Sequence, residues 1–124
     1  MKAVGYQQSL PATDDKALQD SELPQPVASG QDILVRVEAV SVNPVDTKVR
    51  MRAQPEAGQY KVLGWDAAGE VVAVGEDVSL FKPGDKVFYA GSLTRPGSNS
   101  EYQLVDERIV ALMPECLSYA EAAA

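Results

Sequence analysis

The sequence predicts a mainly β domain, a small and strongly curved β-barrel with one or two short helices. The first observation is the stretch of residues 63–87, in which glycines separate short apolar runs. Residues 70–74 are typical of a strand, because β-branched valines suit a pleated surface. The second observation is the segment Lys82-Pro83-Gly84-Asp85, which predicts a tight turn because proline presets φ and glycine accepts a positive φ. A further strand, Lys86–Ala90, follows directly, and this spacing favours a curved sheet.

The third observation is the alternation along residues 32–42, which is the clearest strand pattern in the chain. One face of this strand carries apolar side chains and the other face is mostly polar. Such alternation suits a barrel wall that is apolar inside and polar outside. The inner face is predicted to hold Ile33, Val35, Val37 and Ala39, and the outer face Asp32, Leu34, Arg36 and Glu38.

Shorter patterns predict the remaining strands. Residues 1–6 and 17–23 are expected to form two strands that pair with each other. Residues 100–105 and 109–113 are expected to form the last two strands. The segments between these strands are rich in glycine, proline and polar residues, which favour turns and loops.

Capping signals predict two helices. Asn43 is a favourable N-cap and Pro44 suits the first helical position, so one or two turns are expected before Pro55. Residues 54–59 then predict a loop that is long enough to lie over a pocket. Residues 118–121 match a capping box and precede alanines, which are strong helix formers.

Composition and charge exclude several classes of protein. A chain of 124 residues is expected to form one domain, and its formal charge of −7 opposes binding to nucleic-acid phosphates. No apolar run of membrane-spanning length and no signal-peptide pattern is present, so a cytoplasmic protein without membrane contact is expected. Cys116 is the single cysteine and histidine is absent, which removes the commonest general base and the commonest zinc ligand.

Two motifs in the central stretch carry a family resemblance. Residues 64–75 read G-x-D-x-A-G-x-V-x-x-V-G, and residues 81–87 read F-K-x-G-D-x-V. These motifs resemble the signature of the medium-chain dehydrogenase/reductase superfamily, in its GroES-like N-terminal catalytic domain, and the match covers nearly the whole chain. Within that superfamily the sequence is most similar to the zinc-free quinone oxidoreductase branch, which includes proteins called zinc-type alcohol dehydrogenase-like.

The resemblance implies a GroES-like, partly open β-barrel and a division of the chain. Residues 1–117 correspond to the catalytic, substrate-binding domain, and residues 118–124 to the start of the helix that leads to a Rossmann nucleotide-binding domain. A capped helix of about two turns is not stable alone. The chain is therefore expected to be the N-terminal part of a longer protein, which by this resemblance forms a homo-oligomer.

The resemblance also implies an activity, the transfer of hydride from NADPH to quinones or α,β-unsaturated carbonyls. In similar enzymes the pattern N-x-x-D-x-x-x-R, here Asn43, Asp46 and Arg50, lies beside the nicotinamide and the substrate. Asn43 and Asp46 are therefore the expected catalytic residues. Asn43 and Lys48 are the expected cofactor contacts, although many relatives carry tyrosine where this chain has Lys48. The alternative is that Asn43 only caps the helix and Asp46 only favours its positive end.

Three aromatic residues are expected to line the substrate pocket, namely Tyr60, Trp65 and Tyr89. The alternative for each ring is ordinary packing or surface exposure. Asp66 stands where relatives carry an acid, and it is expected to order neighbouring backbone N–H groups.

No zinc site is expected. Zinc-dependent relatives have a cysteine after the long strand and a G-H-E triplet, and the corresponding residues here are Asn43 and Gly64-Trp65-Asp66. Neither an amide nor an indole suits zinc, which prefers thiolate and imidazole. The chain also lacks G-x-G-x-x-G, so NADPH is expected to bind mainly through the absent domain, and this fragment alone is expected to be inactive.

Two other interpretations stay open on the sequence. A GroES-like barrel can serve as a stand-alone binding or assembly module, since fold does not fix function. The other is a zinc-dependent alcohol dehydrogenase with atypical ligands, for which carboxylates such as Asp46 and Asp66 are the available groups. The main interpretation requires a small-molecule carbonyl or quinone as the partner.

Overall fold

The computed structural model describes all 124 residues, and it consists mainly of strands. Its strands are β1 (Lys2–Tyr6), β2 (Gln19–Glu22), β3 (Asp32–Ser41), β4 (Lys61–Val62), β5 (Asp66–Val74), β6 (Lys86–Ala90), β7 (Tyr102–Asp106) and β8 (Val110–Leu112). Its helices are α1 (Pro44–Arg52), a 3₁₀ turn (Glu107–Ile109) and α2 (Tyr119–Ala123). Neither α1 nor α2 is long and apolar enough to cross a membrane.

The strands form two antiparallel sheets. Three strands pair in the order β2-β1-β4, and five strands pair in the order β7-β3-β5-β6-β8. An isolated bridge between Ala3 and Ser100 connects β1 to the segment before β7. Neither sheet closes on itself, so the barrel is only partial. The prediction of a mainly β, partly open barrel with short helices is confirmed.

The predicted elements are present with shifted ends. The helix after Asn43 begins at Pro44 and ends at Arg52, before Pro55 as expected. Strand β5 begins at Asp66, four residues earlier than the valine pattern predicts, because its first residues are alanine and glycine rather than strand formers. The two-residue strand β4 was not predicted, since a pattern so short cannot be recognised in the sequence.

The core of the five-stranded sheet is apolar and lies on the predicted inner face of β3. Seven buried residues form one cluster: Ile33, Val35, Ala67, Val71, Val87, Tyr89 and Val105. A second, smaller cluster joins Tyr6, Leu63 and Trp65, with Val45 and Val49 of α1 packed against it. The second cluster therefore fixes α1 to the three-stranded sheet, while the first holds the five-stranded sheet together.

The outer face of β3 is not entirely exposed, and here the sequence prediction is wrong for Leu34. This side chain is only 3% exposed, although it alternates with the core residues Ile33 and Val35. Two residues earlier on the same face, Asp32 forms a bidentate ion pair with Arg95, at 2.7 and 2.8 Å. The loop that carries Arg95 therefore reaches this face of the strand, which a period-two pattern cannot indicate.

The glycine-rich stretch approaches the neighbouring strand closely at Gly69. A Cβ atom added to Gly69 would lie 2.2 Å from the carbonyl oxygen of Arg36 on β3, so only glycine fits there. The predicted turn at residues 82–85 is also present. Gly84 has a φ of 97°, and the Asp85 N–H donates to the Lys82 carbonyl.

Helix α2 begins with the predicted capping box. The Glu121 N–H donates to the Ser118 hydroxyl oxygen, and the Ser118 N–H donates to the Glu121 carboxylate, both at 3.1 Å. At the other end of the helix, the Ser41 hydroxyl donates to the Ala123 carbonyl. The Lys86 ammonium lies 5.6 Å from the centre of the Tyr119 ring. These contacts attach α2 to the five-stranded sheet, through the end of β3 and the start of β6.

Candidate active site

The candidate site lies at one end of the five-stranded sheet, where three strands meet. The last residue of β3, Ser41, pairs with Asp66, the first residue of β5. Asp66 in turn pairs with Ala90, the last residue of β6. Asn43 follows two residues after β3, so the antiparallel register brings the chain segments at 43 and 66 together.

Asn43 and Asp66 are joined by a hydrogen bond between their side chains. The Asn43 Nδ2 donates to the Asp66 Oδ2 at 2.5 Å. This bond orients the amide, because its nitrogen points at Asp66 and its carbonyl oxygen must point away. Asn43 is also the N-cap residue of α1, in a capping box with Asp46. The structure thus places Asp66 against a side-chain amide, rather than against the backbone N–H groups expected from the sequence.

Asp46 caps the start of α1. It is the third residue of the helix, and its Oδ2 accepts the Asn43 backbone N–H at 2.7 Å. The side chain is only 6% exposed, and its other oxygen is buried without a hydrogen-bond partner. The capping function expected from the sequence is therefore present, and a catalytic role for Asp46 stays a prediction.

The two basic residues of the motif on α1 have different surroundings. Lys48 is exposed and forms no ion pair. Arg50 donates from Nη1 to the Leu10 carbonyl at 2.6 Å, which ties α1 to the loop after β1. Lys48 is therefore available to a negatively charged ligand, whereas part of the Arg50 guanidinium already has a structural partner.

The three aromatic residues expected in the pocket do not come together in one wall. Trp65 is 4% exposed and packs with Tyr6 and Leu63, and its indole N–H is buried without a partner. Tyr60 is partly buried just before β4. Tyr89 belongs to the core of the five-stranded sheet and also borders the surface next to Asp66. Their roles in substrate binding stay predictions.

A hollow of about 430 Å³ opens beside Asp66, and we call it the Asp66 hollow. It is lined by Asp66, Phe88, Tyr89, Ala90, Ile109, Ala111, Ala122, Ala123 and Ala124. Eight of these nine residues are hydrophobic, and the ninth is the acid that holds Asn43. A mostly apolar concavity with one oriented polar group is the usual form of a small-molecule site.

Tyr89 contributes its ring to the hollow rather than its hydroxyl. The hydroxyl is buried and donates to the Gln103 Oε1 at 2.7 Å. Burial raises the pKa of Tyr89 well above its usual value, so the phenol keeps its proton and acts as a donor. Gln103 is held by a bond from its Nε2 to the Pro96 carbonyl, at 3.2 Å. The orientation of the Tyr89 ring is therefore fixed from within the core.

The donor set at this end of the sheet does not fit zinc. The Asn43 nitrogen points at Asp66, and Trp65 is packed in the second cluster, so neither offers a ligand. No group of three His, Cys, Asp or Glu side chains is arranged to hold a metal ion. Structural and catalytic zinc sites need at least three such ligands.

The chain also lacks the architecture that holds a whole dinucleotide. All of its strand pairs are antiparallel, so there is no parallel β-α-β unit whose helix N-terminus could receive a pyrophosphate.

The sequence analysis did not predict that Asp66 binds the Asn43 side chain. Its position in the G-x-D-x-A-G motif was visible, but its partner Asn43 is 23 residues away. The contact follows from the register of β3 against β5, which contains irregularities at Leu34/Val35 and Val37/Ala39. A shift of one residue would reverse the faces of the strand, so the contact could not be derived without the structure.

Known proteins agree with this architecture. The sequence profile of the alcohol dehydrogenase GroES-like domain matches residues 29–115. A zinc-type alcohol dehydrogenase-like protein of Staphylococcus aureus (strain COL) is 48% identical over 122 residues, which are 98% of this chain and 36% of that protein. The chain therefore spans about a third of the length of such relatives.

Solved structures give the same result. The chain is similar to a candidate zinc-dependent alcohol dehydrogenase from Rhizobium etli CFN 42, with 62% identity and a TM-score of 0.96 over 99% of this chain and 36% of that one. It is also similar to the Escherichia coli quinone oxidoreductase complexed with NADPH, with 28% identity and a TM-score of 0.85 over 100% of this chain and 36% of that one. The profile match covers more than half of the chain. The chain belongs to the alcohol dehydrogenase GroES-like domain family of the medium-chain dehydrogenase/reductase superfamily.

Proposed function

We propose that this chain is the substrate-binding domain of an NADPH-dependent, zinc-free oxidoreductase that reduces quinones or α,β-unsaturated carbonyls. The observation that carries the proposal is the oriented Asn43–Asp66 pair at the rim of the apolar Asp66 hollow. The likeness to a quinone oxidoreductase complexed with NADPH supports both the cofactor and the substrate class.

In this proposal the chain supplies positioning rather than reactive groups. NADPH, when bound, supplies the hydride, and the accepting carbon of a quinone or enone is electron-poor because it is conjugated with a carbonyl. Asn43 would accept a hydrogen bond from the nicotinamide end of the cofactor, and Lys48 would approach a cofactor phosphate. The hollow would exclude water from one face of the substrate, and a proton from solvent would neutralise the negative charge that hydride addition leaves on the carbonyl oxygen and, in an enone, on the α-carbon.

The proposal assigns residues 1–117 to this domain and residues 118–124 to a link with a nucleotide-binding domain. The relatives support that division, because the matched region is 36% of their length. The chain provides no dinucleotide-binding unit of its own, and the remaining length would supply one. Alone, the chain is then inactive, and the whole protein is proposed to act as a homo-oligomer, as the family resemblance implies.

We propose that the protein binds no zinc, because its side chains do not suit the metal. The names of some relatives point the other way. Zinc-type and zinc-dependent are words in the names of similar proteins, whereas Asn43 and Trp65 replace the expected ligands here. Metal analysis of the purified protein is expected to give far less than one zinc per chain. A value near one zinc per chain, retained after dialysis, would instead support an alcohol dehydrogenase with atypical ligands.

The experiment that tests the activity starts from the gene. The reading frame is expected to continue beyond the Ala124 codon into a strand followed by a glycine-rich turn. The encoded protein is then expected to oxidise NADPH when a quinone or an enone is added, which absorbance at the nicotinamide band measures. A stop codon after Ala124, or a full-length protein without this activity, would favour a stand-alone binding or assembly module.

A further inference from the structure

The Asp66 hollow has an uneven charge distribution that bears on the choice of ligand. Asp66 is its single ionisable side chain apart from the Tyr89 phenol, and no lysine or arginine lines it. Asp66 forms no ion pair within 4.0 Å, so its charge is not neutralised by a neighbouring cation. The carboxylate has one side-chain hydrogen bond, from the neutral Asn43 amide.

The remaining walls of the hollow offer nothing that would attract an anion. Tyr89 directs its only polar atom into the core, toward Gln103. The helix α2 contributes Ala122 and Ala123, its C-cap residue is Ala124, and β8 with the preceding turn contributes Ala111 and Ile109. The formal charge of the whole chain is −7, which adds a weak repulsion at longer range.

We propose that Asp66 is a specificity-determining residue, which makes the hollow select uncharged quinones and reject quinones that carry an acidic group. This inference rests on the proposed function for its choice of ligand. A ligand anion seated a few ångströms from Asp66 is repelled by its carboxylate, and the repulsion is stronger in a partly dry medium than in water, so about a tenfold loss of affinity is expected. A neutral ring of the same size escapes this repulsion and gains from the apolar walls.

The test compares two ligands that differ mainly in charge, 1,4-naphthoquinone and 1,4-naphthoquinone-2-sulfonate. The full-length protein carries Cys116→Ser, because the exposed thiol would add to quinones. Binding is followed by NMR, from the shifts of the Ala111, Ala122 and Ala123 methyl groups.

In this background the neutral quinone is expected to bind about tenfold more tightly than the sulfonate. Asp66→Asn, which keeps the shape of the side chain and removes its charge, is expected to reduce the ratio of the two dissociation constants to about twofold. Asp66→Glu retains the charge and is expected to retain most of the ratio. Asp20→Asn is the matched control, since Asp20 is exposed on β2 in the other sheet, and it should leave the ratio near tenfold.

Three outcomes would contradict the inference that Asp66 selects uncharged quinones. Equal affinities in the unchanged site, the same ratio in Asp66→Asn, or the absence of shifts with both quinones would overturn it. This test can fail or succeed independently of the test of the proposed function, because it measures the binding of the two quinones and not the oxidation of NADPH. A full-length protein that does not oxidise NADPH with quinones would overturn the proposed function and leave the measured selectivity of the hollow in place.

Discussion

The two ends of the five-stranded sheet each carry a carboxylate, and the two carboxylates have different partners. At the end where β3 begins, Glu107 is 2% exposed and its Oε1 accepts the backbone N–H groups of Ser79 and Leu80, at 3.1 and 3.0 Å. At the end where β3 finishes, Asp66 is half-buried and accepts one side-chain amide, from Asn43. The first end is closed by a loop, and the second opens into the Asp66 hollow.

The difference shows how the same chemical group serves stability or binding according to its surroundings. A buried carboxylate that satisfies backbone donors cannot be replaced by water, so its loss leaves those donors unpaired. A carboxylate at an open rim can be solvated, so its loss costs less and its charge stays available to a ligand. We therefore expect substitutions at the Glu107 end to change stability, and substitutions at the Asp66 end to change binding.

The largest effect is expected from Glu107→Ala. The substitution leaves the Ser79 and Leu80 N–H groups without their acceptor inside the protein, and we expect the free energy of unfolding to fall by about 3 kcal/mol. Urea denaturation of the chain measures it. Glu115→Ala at an exposed position is the control, with an expected change within about 0.5 kcal/mol. Similar losses for the two variants would mean that Glu107 does not hold this end closed.

A smaller effect is expected from Tyr6→Phe, which loosens α1 near the open end. The Tyr6 hydroxyl donates to the carbonyls of Ala53 and Val49, at 2.5 and 3.2 Å, in the last turn of the helix and its cap. Removing it is expected to lower the free energy of unfolding by about 1.5 kcal/mol. Amide hydrogen exchange should also quicken in α1 before it quickens in β3. Uniform exchange across both elements would show that the hydroxyl does not anchor the helix in particular.

Asn43→Ala removes the hydrogen-bond partner of Asp66, the carboxylate at the open end of the sheet. Water can hydrate the half-buried Asp66 in place of the amide, so the expected loss of stability is about 1 kcal/mol, well below that of Glu107→Ala. Urea denaturation of both variants under the same conditions makes the comparison. A loss as large as that at Glu107 would show that the two ends are energetically alike.

The smallest effect concerns pH at the closed end. Hydrogen bonds from the Arg108 side chain and backbone lower the pKa of Asp106 to about 2. Because the folded pKa lies below the unfolded value of about 3.9, the ion pair stabilises the fold above that value and ceases to do so as the pH falls through about 2. Between about pH 5 and about pH 2, the free energy of unfolding is therefore expected to fall less in Asp106→Asn than in the unchanged chain. Since both side chains are partly exposed, the change should be small and should shrink in high salt.

An NMR titration of the Asp106 carboxyl carbon gives the pKa itself. A midpoint near the unfolded value would contradict the Arg108 hydrogen bonds. A midpoint of about 2 in the unchanged chain, together with a higher midpoint in Arg108→Ala, would support them.

The sequence was sufficient for most of the fold and for little of the site. Alternation located β3, and capping residues located α1 and α2, because these signals are local. The burial of Glu107 was not predicted, since it depends on the loop at Ser79 and Leu80, which is distant in the sequence. The Asn43–Asp66 contact was not predicted either, because it depends on strand register.

The attachment of α2 has a mechanical consequence. The Ser41 hydroxyl holds the Ala123 carbonyl, and Ser41 lies only two residues before Asn43. Ala123 itself forms part of the wall of the hollow. The Ser41 side chain therefore links the end of β3, next to Asn43, to the wall of the Asp66 hollow. A substitution that removes this hydroxyl, such as Ser41→Ala, is expected to alter the Asn43 segment and the hollow together.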